Sequence, residues 1–318
     1  MSGIKKYRPS KAPRGREVFE ELKGLVTEKT NLKSAHIDRV SIRETLRIIN
    51  SEDATVAKEV RKELPYIARA VEFVVSALKG GGRLFYMGAG TSGRLGVLDA
   101  AECPPTFGTP PSMIQGIIAG GYRSLIRSRE GVEDDISAGR KDVRRRNVRP
   151  GDVVIGVTAS KRTPYVLAGL AEAKRLGAVT IFISCNPRSM APKEFDLAIC
   201  PVVGPEVIAG SSRMKAGSAQ KMVLNMISTA SMIRIGKIYG NRMVDLKAAS
   251  EKLRERSKRI IMETCHLSYV DADKALGRAG GSVKIAIVMA QKGLSRAGAK
   301  KLLLESEGFV HRALGEKN

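Results

Sequence analysis

Five short apolar segments, each bounded by Gly, Pro or polar residues, alternate with longer stretches of helical periodicity. The segments are RLFYM, IQGIIA, DVVIGV, VTIFIS and LAICPVV, at 83–87, 114–119, 152–157, 179–184 and 197–203. Short strands that alternate with helices form an open, mostly parallel sheet covered on both faces. The alternation therefore predicts an α/β fold, and helical periodicity places covering helices at 161–175 and 213–239.

Helical periodicity without strand signals flanks this region on both sides. Before the sheet, apolar spacing predicts a helix with Ser51 as N-cap that ends at the glycines 80–82. After about Val244 only helices are predicted, one of them opened by a capping box at Ser268. We predict a disordered basic tail at 1–16, an α/β domain with N-terminal helices at 17–255 and a small helical domain at 256–318.

The balance of charge narrows the classes of partner. The chain carries 55 basic and 32 acidic residues, a formal net charge of +23. This charge fits a nucleic acid, an anionic membrane surface, an anionic substrate or a solvated basic surface. Aromatic residues make up only 4% of the chain and are not interleaved with the basic runs, which argues against nucleic acid. No apolar run approaches the roughly 20 residues of a membrane span, so no membrane partner is expected.

Cysteine and histidine usage limits the chemistry further. The four cysteines form no CxxC pair, and the N-terminus lacks the apolar segment of a secretory signal, so we expect a cytoplasmic protein. Only three histidines exist, and they lie far apart in the sequence. A histidine metal site or a histidine-dependent triad is therefore not expected.

The first glycine-rich loop follows the first predicted strand directly. Its sequence, GAGTSGR at 88–94, satisfies GxGxxG, but no acid for a ribose follows near the second strand. Gly90, Thr91 and Ser92 instead combine backbone N–H groups at a helix start with two hydroxyls, which suits a phosphomonoester. A purely structural turn is the alternative.

A second hydroxyl-bearing loop follows the third predicted strand. Ser160 and Thr163 stand where that strand enters a helix. Serine and threonine are also common N-caps, so the loop alone is weak support for a site. Two such loops at neighbouring strand ends can hold one anion from both sides, and we predict that they do.

Three glutamates are further candidate site residues. Glu102 precedes a double proline, which predicts an extended turn after a short helix and a position near the first loop. Glu133 lies in an acidic cluster at a helix start, and Glu206 precedes the 213–239 helix. The simple alternatives are a surface glutamate for Glu102 and a helix-dipole partner for Glu133.

Several motifs together resemble the N-acetylmuramic acid 6-phosphate etherases of the sugar isomerase (SIS) domain superfamily. They are GAGTSGRLGVLDAAECPP, the EGxED segment, ASxRTPY, GPEVxxGSSRMKAGxAQK and the opening LVTExxNxxSxxID. The resemblance runs from about Leu25 to the C-terminus. Glucokinase regulatory proteins share the general form of the first motif.

The resemblance implies a three-layer α/β/α domain with a five-stranded parallel sheet and a small C-terminal, UBA-like helical domain. It also implies a homodimer with shared sites, a phosphosugar substrate and catalysis without cofactor or metal. Glu102 matches the proton donor and Glu133 the second catalytic glutamate. Thr91, Ser92, Ser160 and Thr163 match the sugar-phosphate loops, and Gly90 and Glu206 lie within matching motifs. Lys161 replaces the family glycine of ASGRTPY, and Ala101 replaces a serine.

Two other functions remain open from the sequence. A non-catalytic phosphosugar sensor of the same superfamily would bind the ligand without turnover, although the presence of both Glu102 and Glu133 argues against it. Nucleic-acid binding is motivated by charge alone.

Overall fold

A five-stranded parallel sheet forms the centre of the protein, as seen in a computed structural model that describes residues 16–246 and 250–316. The strand order is β2-β1-β3-β4-β5, and every pair is parallel. The strands are β1 (Leu84–Gly88), β2 (Ile114–Ile118), β3 (Val153–Val157), β4 (Val179–Ile183) and β5 (Leu197–Ile199). All five predicted segments are therefore strands, and the predicted sheet is confirmed.

The last strand is shorter than its apolar segment suggests. β5 ends at Ile199, whereas the apolar run continues to Val203. The backbone N–H of Cys200 donates to Glu63 Oε2 at 2.7 Å instead of to a strand, and Pro201 has no N–H to donate. The chain thus leaves the sheet at Cys200.

Helices cover both faces of the sheet. One layer contains α4 (Leu64–Lys79), α5 (Gly90–Phe107) and α9 (Lys215–Arg234), and the other contains α7 (Ile136–Arg145) and α8 (Pro164–Arg175). Alternate residues of a strand point to opposite faces of the sheet. Tyr86 therefore packs in the apolar core under the first helix layer, and Phe85 in the core under the second. The remaining helices of this region are α1 (Arg16–Gly24), α2 (Ile42–Asp53), α3 (Val56–Lys62) and α6 (Arg123–Ile126).

The single helix predicted from Ser51 to the glycines 80–82 is wrong. Three helices, α2, α3 and α4, occupy this stretch. Ser51 lies inside α2, where its hydroxyl donates to the carbonyl of Ile48 at 2.9 Å rather than capping a helix. Pro65 stands in the first turn of α4, where its missing N–H is tolerated, and so favours a new helix start there.

The C-terminal region packs around an apolar core of its own. It contains a hairpin, β6 (Ile238–Tyr239) with β7 (Arg242–Met243), and five helices: α10 (Glu251–Cys265), α11 (Tyr269–Arg278), α12 (Val283–Lys292), α13 (Arg296–Glu305) and α14 (Val310–Leu314). Ser268 caps α11 by accepting from the N–H of Asp271 at 3.1 Å, as its capping box predicts. The three-layer fold with C-terminal helices is confirmed.

The structure does not test the predicted domain boundaries. The boundary between residues 255 and 256 lies inside α10, so the division there stays a prediction. Residues 1–15 of the predicted disordered tail lie outside the described residues, and α1 begins at Arg16. No helix in the described ranges is long and apolar enough to cross a bilayer.

A buried ion pair joins α2 to the start of α9. Lys215 Nζ lies 2.6 Å from Glu52 Oε2, and both side chains are buried. Lys33 and Asn31 also donate to the Glu52 carboxylate, at 2.9 and 2.7 Å. Burial by itself would raise the pKa of Glu52, but the hydrogen bonds from Lys215, Lys33 and Asn31 outweigh it and lower the pKa to about 2.

We expect Lys215→Met to lower the free energy of unfolding at pH 7 by about 3–5 kcal/mol, because it leaves a buried carboxylate without its principal cation. Urea denaturation measures this, with Lys221→Met on the exposed face of α9 as a control that changes stability by less than about 0.5 kcal/mol. The ionised Glu52 stabilises the fold above its ordinary pKa of 4.5, and this stabilisation is lost as the pH falls towards about 2. The difference between Lys215→Met and the wild type should therefore shrink in acid; an equal loss for both lysines would contradict the ion-pair role.

Candidate functional site

The two predicted hydroxyl loops begin side by side at the carboxyl edge of the sheet. The final residues of β1 and β3, Gly88 and Val157, are direct partners in the parallel ladder. β1 leads outward to β2 and β3 leads the other way to β4, so the strand order reverses between them. Ligands of open α/β sheets bind at this point.

The first loop turns from β1 into α5 without spare space. A side chain on Gly88 would place its Cβ 2.6 Å from the backbone nitrogen of Gly93, so strand and helix can approach this closely only with glycine there. Gly90 is exposed, has a φ of +53° and begins α5. The N–H groups of this first turn have no acceptor within the helix. Together with the positive end of the helix dipole, they face the carboxyl edge of the sheet, called the loop edge below because both hydroxyl loops lie there.

The hydroxyl of Ser92 is buried against α9. Ser92 Oγ donates to Gln220 Oε1 at 2.9 Å. A Cβ on Gly217, one turn before Gln220, would lie 3.4 Å from Cγ2 of Thr91. Further along, Asp99 of α5 accepts from Asn225 of α9 at 2.6 Å. Residues later in α5 contact residues later in α9, so the two helices run in the same direction. Both start at the loop edge.

The second loop is closed by hydrogen bonds among its own hydroxyls. Thr158 Oγ1 donates to the carbonyl of Ser160, so its 2.8 Å contact with Thr163 Oγ1 is one in which Thr163 donates. Ser160 Oγ is only half-buried and accepts weakly, at 3.3 Å, from the N–H of Arg162. Ser160 is therefore better placed than Thr163 to contact a ligand, and Thr158, which the sequence did not single out, shapes the loop.

Lys161 does not need the backbone freedom of the family glycine. Positive φ angles at non-glycine residues occur, among the described residues, only at Asn147, His266 and Glu307. Lys161 is half-buried in the loop. The loop thus accepts a lysine without left-handed backbone strain.

An N-terminal segment lies against the same edge. Asn186, just after β4, accepts from the N–H of Val26 at 2.8 Å and donates to the carbonyl of Ala159 at 3.1 Å. Ser34 Oγ donates to the carbonyl of Val207 at 2.8 Å. The LVTExxNxxS segment is therefore joined to the second loop through Asn186 and contacts the chain leading to α9 directly.

Glu206 caps the start of α9. Its carboxylate is buried and accepts from the N–H groups of Lys215 at 3.0 Å and Ala216 at 2.9 Å. These are two of the donors that a helix start leaves unpaired. The helix start accounts for the burial of Glu206, and its contact with a phosphosugar stays a prediction.

The structure does not bring Glu102 to the first loop. α5 continues through Pro104 and Pro105 to Phe107, so the extended turn predicted from the double proline is wrong. The prolines fall in the last turn, which continues without their two N–H donors, and α5 ends at Gly108 with a φ of +63°. Glu102 lies twelve residues after Gly90, and a rise of about 1.5 Å per residue puts it about 18 Å along the helix. Its side chain is exposed.

Glu133, in contrast, lies at the loop edge. It belongs to a 3₁₀ turn, Val132–Asp134, that packs beside α8. Cγ1 of Val132 would lie 3.2 Å from a Cβ on Gly120, two residues past the end of β2. The half-buried Glu133 is not the cap of α7; Asp135 is, accepting from the N–H of Ala138 at 2.8 Å. Within one chain, the two predicted catalytic glutamates are therefore not at the same place.

No group of three or more His, Cys, Asp or Glu side chains in the described ranges is arranged to hold a metal ion. Burial, with the carboxylates of Asp99 and Glu102 nearby, raises the pKa of Cys103 to about 12. A thiol with that pKa carries almost no thiolate at neutral pH.

A separate apolar groove of about 1560 Å³ runs between α4 and α9, away from the loops. Its walls include the partly exposed Leu64 and Ile233 and reach Phe309 in the C-terminal region. None of the predicted site residues lines it. A groove of this kind suits contact with another protein surface more than a phosphosugar.

Two family models match overlapping parts of this chain. Models of the glucokinase regulatory protein N-terminal SIS domain and of the SIS domain match residues 66–174 and 137–230. The phosphoheptose isomerase of Neisseria gonorrhoeae aligns with a TM-score of 0.45 and 18% identity, over 60% of this chain and 98% of that one.

Two relatives are more similar to this chain in sequence than that isomerase is. The chain is 57% identical over 268 residues to the N-acetylmuramic acid 6-phosphate etherase of Symbiobacterium thermophilum, covering 84% of this chain and 89% of that one. It is 50% identical over 303 residues to the etherase of the same name from Salinibacter ruber, covering 95% and 97%. The resemblance seen in the motifs is confirmed: the chain belongs to the N-acetylmuramic acid 6-phosphate etherase family of SIS-domain proteins.

Proposed function

We propose that this chain is an N-acetylmuramic acid 6-phosphate etherase, a carbon–oxygen lyase of cell-wall sugar recycling. It converts its substrate to N-acetylglucosamine 6-phosphate and D-lactate. The observation that supports this most is the pairing of two hydroxyl loops at the ends of β1 and β3 in a chain of this family. We propose that Gly90, Thr91, Ser92, Ser160 and Thr163 form the 6-phosphate site, and that Glu206 supports it by holding the start of α9.

The reaction needs one base and one acid. In the open-chain sugar, the C2 hydrogen is acidic because it is next to the C1 aldehyde. A base removes this proton, the C3–O bond breaks, and an acid protonates the leaving lactate oxygen. Water then adds across the C2–C3 double bond, with its hydroxyl on C3 and its hydrogen on C2. Each positioned acid or base contributes roughly 10²–10⁴-fold to such a reaction. No cofactor is needed.

We assign Glu102 as the acid and Glu133 as the base, but from different copies of the chain. Glu133 lies at the loop edge of its own chain, whereas Glu102 lies about 18 Å along α5 and is exposed. A homodimer in which Glu102 enters the partner's site would bring both carboxyls to one sugar. The apolar groove between α4 and α9 supplies a surface that such a dimer could bury. Shared sites are also what the resemblance implies.

We also infer a cytoplasmic location. All four cysteines are free, and three of them are buried. Free cysteines are typical of a reducing compartment, and the substrate is a phosphorylated sugar.

Glu102→Gln and Glu133→Gln should each reduce D-lactate release from N-acetylmuramic acid 6-phosphate by roughly 10²–10⁴-fold, because each removes one proton-transfer group. Glu194→Gln, at an exposed position outside the site, is the matched control and should keep wild-type activity. Full activity in Glu102→Gln would remove Glu102 from the mechanism. Tight ligand binding by the wild type without D-lactate release would favour the sensor alternative.

Mixing the two inactive variants tests whether the site is shared. If Glu102 and Glu133 come from different copies, a heterodimer of Glu102→Gln with Glu133→Gln contains one intact site of two. Co-expression with random pairing then recovers roughly a quarter of the wild-type activity, because half of the dimers are mixed. If one chain supplies both glutamates, every site carries one substitution and no activity returns. Purification through two different tags isolates the mixed dimer.

A further inference from the structure

A fully buried glutamine, Gln220, contacts the first loop through only one of the two polar atoms of its side-chain amide. Gln220 lies near the start of α9 and has no exposed surface. Its Oε1 accepts from Ser92 Oγ at 2.9 Å, while its Nε2 is buried and has no hydrogen-bond partner among the residues that the structure describes. A buried donor without an acceptor carries its full cost of desolvation, so the arrangement calls for an explanation.

The contact determines where the single hydroxyl hydrogen of Ser92 goes. A serine hydroxyl has one hydrogen to donate and two lone pairs to accept with. In the structure that hydrogen is given to Gln220 Oε1, so it is not available to an anion. Yet Ser92 lies in the first turn of α5, beside the N–H groups that face the loop edge.

A half-turn of the carboxamide reverses this bond. Rotation about the Cγ–Cδ bond exchanges the positions of Oε1 and Nε2. Nε2 then donates to Ser92 Oγ, and the hydroxyl hydrogen of Ser92 becomes free to point elsewhere. The same rotation gives the orphaned Nε2 a partner.

We propose that Gln220 is a positioning residue whose amide reverses when a phosphomonoester binds at the first loop. The inference rests on the proposed function, because it takes Ser92 as a phosphate ligand. Without an anion, Ser92 donates to Gln220. With one, Ser92 donates to a phosphate oxygen, and Gln220 donates to Ser92.

The ligand supplies the energy for the reversal. A hydrogen bond to a charged oxygen is roughly twice as strong as a neutral one, so the phosphate competes successfully with Oε1 for the hydroxyl hydrogen. Before the reversal, Oε1 is paired and both N–H groups of Nε2 are unpaired. After it, one of these N–H groups donates to Ser92 Oγ, and Oε1 is unpaired instead. Binding therefore shifts the amide between two arrangements that the packing of α9 on α5 already allows.

Two substitutions separate the orientations, with calorimetric titration of N-acetylglucosamine 6-phosphate as the measurement. Gln220→Glu, once ionised at alkaline pH, can only accept, so it holds the Ser92 hydroxyl in the unproductive orientation; affinity measured there should fall about 10- to 100-fold. Gln220→Met removes the competing acceptor at similar size, and affinity should stay within about threefold of wild type. Gln115→Glu, at the opposite end of the sheet in β2, adds the same charge and should bind as the wild type does.

The Ser92→Ala background separates hydrogen bonding from charge repulsion. If Gln220 acts through Ser92, then Gln220→Glu should weaken binding by less than about threefold once Ser92 is alanine. An equal loss in both backgrounds would overturn the inference, and so would wild-type affinity in Gln220→Glu. If the wild type itself does not bind the ligand, the proposed function fails together with this inference, so the two failures are distinguishable.

The wild-type protein provides a test that does not depend on the folding of a variant. The side-chain amide protons of Gln220 should show a downfield shift of one proton in ¹⁵N-correlated spectra at saturation with N-acetylglucosamine 6-phosphate. The shift follows from the new hydrogen bond to Ser92. A Gln220 amide signal that does not move at saturation would overturn the inference.

Discussion

The first turn of α9 is the point on which the rest of the site depends. Glu206 accepts from the backbone N–H groups of Lys215 and Ala216, and the Lys215 side chain is buried against Glu52. Glu52 in turn holds Asn31 and Lys33 of the N-terminal segment. These contacts join three distant parts of the sequence. Separating the charged groups is costly, because it would leave a buried charge without a partner.

This fixed helix start determines what α9 can present to α5. Because the two helices run in the same direction, their first turns meet at the loop edge, with Thr91 beside Gly217 and Ser92 beside Gln220. Glu206 already occupies the positive end of the α9 dipole, so the positive end of α5, which has no side-chain cap, is the one open to a ligand. A dianionic phosphate is the ligand that gains most from that arrangement.

The distribution of the glutamates has a different consequence. One chain holds a complete pair of hydroxyl loops and places Glu133 beside them, whereas its own Glu102 lies far along α5. If the proposed phosphate and catalytic residues are right, a homodimer with shared sites would produce this separation of Glu102 from Glu133 within one chain. Binding and chemistry would then depend on different contacts, because only the chemistry would require the second copy.

Local patterns in the sequence were sufficient to predict the strands, the two loops and their place at the edge of the sheet. Apolar runs of strand length bounded by turn residues have few alternatives, and neighbouring parallel strands must bring their carboxyl ends together. The local rule for prolines failed at the end of α5. Pro104 and Pro105 suggested a break, yet α5 continues to Phe107 without their N–H donors and ends at Gly108 in a left-handed conformation.

The sequence by itself determined the fold class and the two hydroxyl-bearing loops at the carboxyl edge of the sheet. Only the tertiary structure decided that Glu102 and Glu133 are apart in one chain, and that Glu206 caps a helix. It also decided that Gln220, a polar residue in an otherwise helical pattern, contacts Ser92 from 128 positions away. The physical reason is that periodicity reports which face of an element is buried, whereas hydrogen-bond partners across elements depend on how those elements pack.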